Sequence, residues 1–291
     1  MISANPPALK AGQRVRPAVS SDYQQISDLL VFEGHVHRHL DWRTPLEWLG
    51  YPPYWVVEEN GHIVAVLACP PDPDSIAWLR LFVFTSHLSG PEAWSLLWTA
   101  ARSELAERGH MTAAAIAMER WMDSLLIESR FELAHHIVLL EWNDKPATRL
   151  SIPDGFTIRT MTTADLPHVV EVDAAAFDSL WQNSLPALSK AFAQAVYATV
   201  AENSSGMIGY QLSTWSPLGA HLARLAVRPQ AQGNGLGAAL VSDLIVRMQN
   251  SGATHITVNT QGNNNVSLAL YQKLGFHRTG EQYPVYTIQV E

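Results

Sequence analysis

Hydrophobic positions in the second half of the chain recur at two different spacings. Four of them stand at every fourth position, which predicts a helix with one apolar face. They are Leu236, Leu240, Leu244 and Met248. Gly252 suits the end of this helix. Short apolar runs at 221–227 and 255–260 stand on either side of it and predict strands.

The same patterns extend the prediction over most of residues 151–291. Thr162 or Thr163 can begin a helix that runs towards Phe177. Further helices are predicted over 187–196 and 266–276, and further strands over 197–203, 207–215 and 283–290. A Ser-Ser-Gly turn makes the first two of these strands a hairpin. The order of elements indicates a mixed α/β fold.

An internal repeat divides the chain in two. Arg16 and Asp22 precede Arg159 and Asp165 by 143 residues, and Phe131 precedes Phe276 by 145. Four further matches at an offset of 144 join Arg80, Leu81, Val83 and Leu96 to Arg224, Leu225, Val227 and Leu240. The almost constant offset predicts two copies of one fold, at 1–150 and 151–291, joined by the polar, proline-containing segment 143–155.

Composition sets limits on location and partners. Hydrophobic residues make up 47% of the 291 positions, which is enough for a real core, and no apolar run approaches the roughly 18 residues of a membrane-spanning helix. The N-terminus lacks the apolar stretch of a signal peptide, and Cys69 is the only cysteine, so we expect a cytoplasmic protein without a membrane partner.

The charge is acidic and unevenly distributed. The net charge of −8 argues against a protein that coats nucleic acid. Residues 1–150 hold 12 basic and 18 acidic side chains, whereas residues 151–291 hold 7 and 9. The net charge of the second half is −2 and that of the first half is −6, so the second half is the better place for a phosphorylated ligand.

The strongest chemical feature is a glycine-rich turn between the strand at 221–227 and the long helix. Gly233, Gly235 and Gly237 allow close approach of the backbone to a ligand. The free amides and the dipole of the following helix favour an anion, so the turn can hold a pyrophosphate without a basic side chain. The glycines alone fit a flexible turn equally well, because their spacing matches no standard nucleotide-binding motif.

Two motifs in order resemble those of the GCN5-related N-acetyltransferase (GNAT) superfamily. The segment from Gln230 to Gly235 resembles the [QR]xxGx[GA] signature. The segment from Asn264 to Phe276 resembles NxxAxxLYxKxGF, with Ser267 in place of the usual alanine. The resemblance is nearest to RimI-type protein acetyltransferases. It implies two tandem GNAT-like domains, each a mixed and mostly antiparallel sheet with a splayed central pair of parallel strands flanked by helices.

The resemblance also implies a site for acetyl-CoA as cosubstrate, without a metal, in the second copy. Backbone groups that hold the pantetheine arm and the thioester would come from Leu225, Ala226 and Val227. Amides that hold the pyrophosphate would come from Gln232, Gly233, Asn234, Gly235, Gly237 and Ala238. Asn264 would touch the pantetheine arm, and Tyr271 would lie near the sulfur as hydrogen-bond donor to the leaving thiolate.

The general base is less defined. RimI-type enzymes have a glutamate twelve positions before the tyrosine, where this chain has Asn259. His221 is the first choice among the alternatives Glu171, Asp173 and Asp178, and a water relay is equally compatible. Trp181 and Tyr286 are candidates to line an acceptor pocket, although aromatic residues are more often part of a core.

The first copy lacks these features. Ser89, Pro91 and Ala93 align with the three glycines, and proline has no N–H to donate. We therefore expect residues 1–150 to be a degenerate GNAT-like domain that binds acetyl-CoA weakly or not at all. His35, His37 and His39 alternate, but without a second ligand cluster they favour a polar loop or helix face over a metal site.

The leading hypothesis is an acetyl-CoA-dependent N-acetyltransferase that acts on a primary amine of a small molecule or a protein N-terminus. Tandem copies of this length also resemble mycothiol synthase, whose acceptor is a thiol-sugar amine. The alternatives are a non-catalytic acyl-CoA sensor, suggested by Asn259, and a scaffold whose first half binds a partner protein. The repeat makes the chain an internal pseudo-dimer, so a monomer or a homodimer is expected.

Overall fold

The structure is a computed structural model that describes residues 9–143, 149–217 and 219–291. The chain divides into two compact units. Unit 1 consists of the residues up to Ala134 together with Tyr283–Glu291, and unit 2 is His135–Gln282. Relative to a division at residue 150, two segments change sides, because 135–143 pairs with a strand of unit 2 and 283–290 pairs with a strand of unit 1.

Strands and helices alternate along the described residues. The strands are β1 (Gln13–Pro17), β2 (Val36–Arg38), β3 (Tyr54–Glu59), β4 (His62–Ala68), β5 (Ile76–Trp78), β6 (Leu81–Phe84), β7 (Met111–Ile116), β8 (Glu132–Asn143), β9 (Thr157–Thr160), β10 (Tyr197–Asn203), β11 (Gly206–Ser216), β12 (Gly219–Val227), β13 (His255–Gln261) and β14 (His277–Val290). The α-helices are α1 (Tyr23–Phe32), α2 (Gly90–Ala106), α3 (Arg120–Glu128), α4 (Leu166–Ala176), α5 (Leu185–Gln194), α6 (Leu236–Asn250) and α7 (Asn265–Lys273). No described helix is long and apolar enough to span a bilayer.

The sheet of unit 2 contains the splayed strand pair. Its order is β9-β10-β11-β12-β13-β8, and every pair is antiparallel except β12 with β13. These two strands pair only from Ala220–Leu222 to Ile256–Val258. A bulge in β12 lies at the same level, because Leu222 and Arg224 face successive residues of β11. Beyond it the two strands separate, so the predicted splay is confirmed.

Helices cover both faces of this sheet. On one face α6 and α7 pack on a core that includes Leu140, Leu222, Ile256 and Val258. On the other face α4 and α5 lie over β11. The helix predicted over 187–196 begins two residues earlier, because the Ser184 side chain accepts from the amide of Ala187 (3.2 Å) and a proline occupies the first turn.

Unit 1 has a similar order of elements, except that β2 and a 3-10 turn stand between its first helix and β3, where unit 2 has α5. Strands β1-β3-β4-β6-β2 form one antiparallel sheet. Strand β7 pairs in parallel with β5 and antiparallel with β14. The core is rich in tryptophan, and Trp94 is completely buried.

An ion-pair motif with a buried aspartate at the start of each unit supports the repeat. Arg16 of β1 binds Asp22 at 2.7 Å, and Arg159 of β9 binds Asp165 at 2.8 Å. A glutamate of the neighbouring strand completes each motif, Glu58 in unit 1 and Glu202 in unit 2. The offset of 143 therefore corresponds to one structural feature that occurs twice.

The prediction of a polar loop or helix face for the three alternating histidines is wrong for His37, which is buried in strand β2, whereas His35 and His39 lie in the loops that flank this strand. They lie in or beside β2, and each ring has its own contact. The His35 ring stacks on Phe84 (centroids 4.9 Å apart), and the His39 ring stacks on Trp78 (4.7 Å). His37 Nε2 lies 3.0 Å from the carbonyl oxygen of Leu79. His37 and His39 therefore belong to the packing of unit 1, whereas His35 stacks on Phe84 at an exposed position.

Candidate functional site

The glycine-rich turn of unit 2 forms a tight connection from β12 to α6. A short 3-10 turn at Pro229–Ala231 follows the strand, and the Gln232 side chain donates to the carbonyl oxygen of Val227 at 2.8 Å. Gly233 and Gly235 then take φ angles of 80° and 81°. A residue with a Cβ would be strained there by about 1–2 kcal/mol, so glycine is needed for the geometry of the turn.

The first turn of α6 presents free amides. Gly235 is the N-cap, and no side chain of a described residue caps the helix. The N–H groups of Leu236, Gly237 and Ala238 therefore have no intrahelical acceptor, and the helix dipole adds partial positive charge at the same place. The Gln232 amide differs from the expectation, because it already donates to the carbonyl oxygen of Pro229 at 3.2 Å.

The two strands β12 and β13, which form the arms of the splay, leave backbone groups unpaired at the other end of the site. Leu225, Ala226 and Val227 pair along one edge with β11, and their other edge has no partner from β13. Alternate N–H and C=O groups of this edge are therefore directed into the splay. Packing does not require glycine at Gly237, because a Cβ there would stand 3.5 Å from the Leu270 side chain, which is an ordinary van der Waals contact.

Helix α7 places Asn264 and Tyr271 beside the splay. The Asn264 oxygen caps the helix by accepting from the amide of Ser267 at 3.0 Å, which leaves its NH2 group as a donor. Tyr271 is 4% exposed, and its ring lies 5.6 Å from that of Phe276. Burial raises the pKa of the Tyr271 phenol, and no described residue hydrogen-bonds its hydroxyl. The hydroxyl is therefore a protonated donor.

His221 lies on β12 one residue before the parallel pairing ends. Its Nδ1 is 2.8 Å from Thr257 Oγ1, and the Thr257 hydroxyl is 3.5 Å from the carbonyl oxygen of Ala220. If Thr257 donates to that carbonyl, it accepts from Nδ1–H, and Nε2 is left with a free lone pair. Burial lowers the pKa of His221, which favours this neutral ring. Thr257 was not among the sequence candidates.

The two expected catalytic residues lie on opposite faces of the sheet. Tyr271 belongs to the apolar cluster that contains Leu222 and Val258. His221 and Thr257 alternate with these residues and so point to the other face, towards α4 and α5.

The carboxylates that were alternatives for the general base differ in burial and in their partners. Asp173 is fully buried, and its oxygens accept from Arg224 (2.8 and 2.9 Å), from the Tyr210 hydroxyl and from the amide of Asn183. It is a structural ion pair with no free lone pair directed to a ligand. Glu171 is exposed and pairs with Arg228 at 3.2 Å. Asp178 and Asn259 are also exposed.

The two aromatic candidates for the acceptor pocket fall in different units. Trp181 follows α4, and its backbone oxygen accepts from Arg224 at the start of the splay. Tyr286 belongs to unit 1, where it is buried in the core and hydrogen-bonds Asp123. Tyr286 is therefore not part of the unit 2 site.

A splayed parallel pair with an uncapped helix N-terminus beside it is the arrangement that the resemblance to GNAT proteins implies, and comparisons with known proteins point to the same family. Residues 166–276 match the Acetyltransferase (GNAT) family. The second half of the chain is therefore similar to members of the GNAT superfamily.

Similar sequences and structures add detail. The chain is 29% identical over 219 residues to the mycothiol acetyltransferase of Saccharomonospora viridis, which covers 60% of this chain and 69% of that protein. It is 29% identical to the N-alpha-acetyltransferase RimI of Mycobacterium tuberculosis over 45% of this chain and 85% of that one. A tandem GNAT protein from the clavulanic acid biosynthesis pathway has a TM-score of 0.63 at 15% identity, with 96% of this chain and 99% of that chain covered. This last similarity extends the tandem fold to the whole chain.

Proposed function

We propose that unit 2 transfers the acetyl group of acetyl-CoA to a primary amine. The observation that carries the proposal is the combination of separated backbone edges in β12 and β13 with an uncapped α6 N-terminus at the end of β12. The first can pair with an extended amide-containing chain, and the second suits a pyrophosphate. Acetyl-CoA is a ligand that has both parts, and it supplies an electrophilic thioester when bound.

The residues proposed to hold it follow the path of the cleft. Amides at the start of α6, from Gly235 to Ala238, and those of Gly233 and Asn234 would bind the pyrophosphate. The open edge of Leu225–Val227 and the free NH2 group of Asn264 would bind the pantetheine arm. No side-chain cation is needed, since the helix dipole and amides provide the positive potential.

The side chains then handle the protons. Tyr271 stays protonated because burial raises its pKa, so its hydroxyl can donate to the leaving sulfur. Nε2 of neutral His221 would accept the proton that the attacking amine loses. The backbone N–H of Val227 would polarise the carbonyl that is attacked, whereas that of Ala226 is in phase with the Arg228 amide, which donates to the neighbouring strand β11. Each proton thus moves between a named protein atom and a reacting group.

The acceptor class is a primary amine of a small molecule or of a protein N-terminus. The similarity to RimI favours a protein N-terminus. The similarity to mycothiol acetyltransferase favours an amine on a sugar, and it is the second candidate because the match, at 219 residues, is longer than one domain.

Unit 1 is proposed to be the degenerate copy. Ser89 caps α2 with its own side chain by accepting from the amide of Glu92 (3.3 Å), and Pro91 removes a donor from the first turn. Glu92 adds negative charge where an anion would bind, and Lys10 pairs with it at 2.8 Å. These features close the α2 N-terminus to a pyrophosphate.

The test is release of free thiol from acetyl-CoA by the full chain with a panel of primary amines, beside a calorimetric titration with acetyl-CoA. Amine-dependent thiol release is the expected result. Binding without release for any amine would favour the sensor alternative, and absence of binding at micromolar concentration would overturn the proposal.

A further inference from the structure

Two rings of unit 2 are in contact at the splay and have no role in the steps above. His135 lies on β8, Trp181 lies between α4 and α5, and their ring centroids are 5.3 Å apart. His135 Nε2 is shielded from solvent, and no atom of a described residue hydrogen-bonds it. A buried polar atom without a partner costs about 1–3 kcal/mol, which a ligand with a matching polar group would remove.

Each ring is attached to a different arm of the splay. Trp181 is held by Arg224, which lies two residues beyond the last parallel pair of β12. His135 belongs to β8, which pairs with β13 from Ile137 opposite Gln261 onwards. The ring contact therefore joins the two arms where they are separated.

The pair also lies on the face from which an amine would approach. The opposite face is filled by the packed core of α6 and α7, with Tyr271 in it. His135 alternates along β8 with Val138 and Leu140, which point into that core, and so faces the side of His221 and Asn259.

Charge at this place suits a cationic amine. Asp178 is exposed at the turn that carries Trp181, and its negative charge acts on the His135 ring. Burial is the larger influence and lowers the pKa of His135, so the ring is neutral and can make one hydrogen bond as donor or acceptor at Nε2. Asp178 would attract the ammonium form of the acceptor to the same place.

We propose that His135 and Trp181 form the acceptor-binding subsite of unit 2. His135 Nε2 hydrogen-bonds a hydroxyl or amide group next to the amine of the acceptor, and the Trp181 ring packs against its carbon skeleton. The subsite takes primary amines with such a neighbouring polar group, a chemistry shared by amino sugars and peptide N-termini. The inference rests on the proposed function for the nature of the site.

Calorimetric titration of two probes, D-glucosamine and an alanyl hexapeptide, into CoA-saturated protein tests the subsite and distinguishes the two sources. We expect one probe to bind, and H135A to weaken it about tenfold, the value of one lost hydrogen bond. H135Q places an amide near the Nε2 position and should bind within about threefold of the wild type. W181A should weaken the same probe.

The neighbouring His136→Ala is the matched control, since its side chain alternates to the opposite face, and it should bind as the wild type does. CoA affinity and the melting temperature should be the same in all variants. Binding unchanged in H135A, equal weakening in H136A, or no binding of either probe to the wild type would overturn the subsite. His135-dependent binding without thiol release would support the subsite and contradict the transferase proposal.

Discussion

At the scale of single residues, the two side chains that we propose to handle protons lie on opposite faces of one sheet. Tyr271 is placed by the apolar core and has a raised pKa. His221 is placed by the Thr257 hydroxyl and has a lowered pKa. Burial therefore favours the proton donor form of the phenol and the acceptor form of the imidazole at neutral pH.

Tyr271→Phe tests the donor. The variant keeps the ring against Phe276 and loses only the hydroxyl, so we expect kcat to fall by about 10- to 100-fold while the Kd for acetyl-CoA changes less than about twofold. Stopped-flow thiol release and calorimetry measure the two quantities. An unchanged kcat would remove the assigned role, and a large loss of affinity would assign the residue to binding.

His221→Gln tests the base through pH dependence. In the wild type, kcat/KM should fall as pH drops below the pKa of His221, which burial places under its ordinary 6.5, because protonated imidazole cannot accept a proton. The variant should lose about 100-fold in kcat together with this acid limb. Thr257→Val, which removes the Nδ1 partner, should give a smaller loss of kcat. Persistence of the acid limb in H221Q would favour the water relay.

At the scale of elements, the glycine turn and α6 depend on each other. The left-handed angles at Gly233 and Gly235 end the strand and start the helix with its amides free. These features could be predicted from sequence because turn geometry is local. The contribution of β8 to the site could not be predicted, because strand pairing between residues more than a hundred positions apart has no local signal. For the same reason the sequence does not indicate that His135 lies at the site. For Thr257 a signal existed in the alternation of His255, Thr257 and Asn259 on one strand face.

Gly235→Ala separates strain from ligand contact, with Gly252→Ala as its control. Both glycines have positive φ, at 81° and 93°, and Gly252 follows the end of α6 that is farther from the glycine-rich turn. Each substitution should lower the free energy of unfolding by about 1–2 kcal/mol. Only G235A should weaken acetyl-CoA binding, because it displaces the amides that follow it. Chemical denaturation and calorimetry give the comparison, and equal affinity losses in both variants would mean that the effect is general destabilisation.

At the scale of the whole molecule, the two units have a similar order of elements and differ in the division of their strands and in their helix N-termini. The repeat of Arg16–Asp22 in Arg159–Asp165 could be predicted from sequence because each pair is short-range and was kept at an almost constant offset. The proposed loss of the anion site in unit 1 follows from Ser89 and Pro91, which are again local features. Segments 135–143 and 283–290 belong to unit 2 and unit 1 because of long-range strand pairing. Such pairing has no local signal, so the boundary predicted at residue 150 does not include it.

This asymmetry predicts that the full chain binds one acetyl-CoA. Unit 2 offers free amides at α6, whereas in unit 1 the Ser89 side chain occupies an amide of α2, Pro91 lacks one and Glu92 repels an anion. Calorimetric titration should give a stoichiometry near one per chain. G235A should reduce the affinity of that single event, while Ser89→Ala should leave both its affinity and its stoichiometry unchanged. A second binding event that survives in G235A would show that unit 1 holds CoA through a different loop geometry, and the degenerate-copy proposal would then fail while the assignment of the unit 2 site would stand.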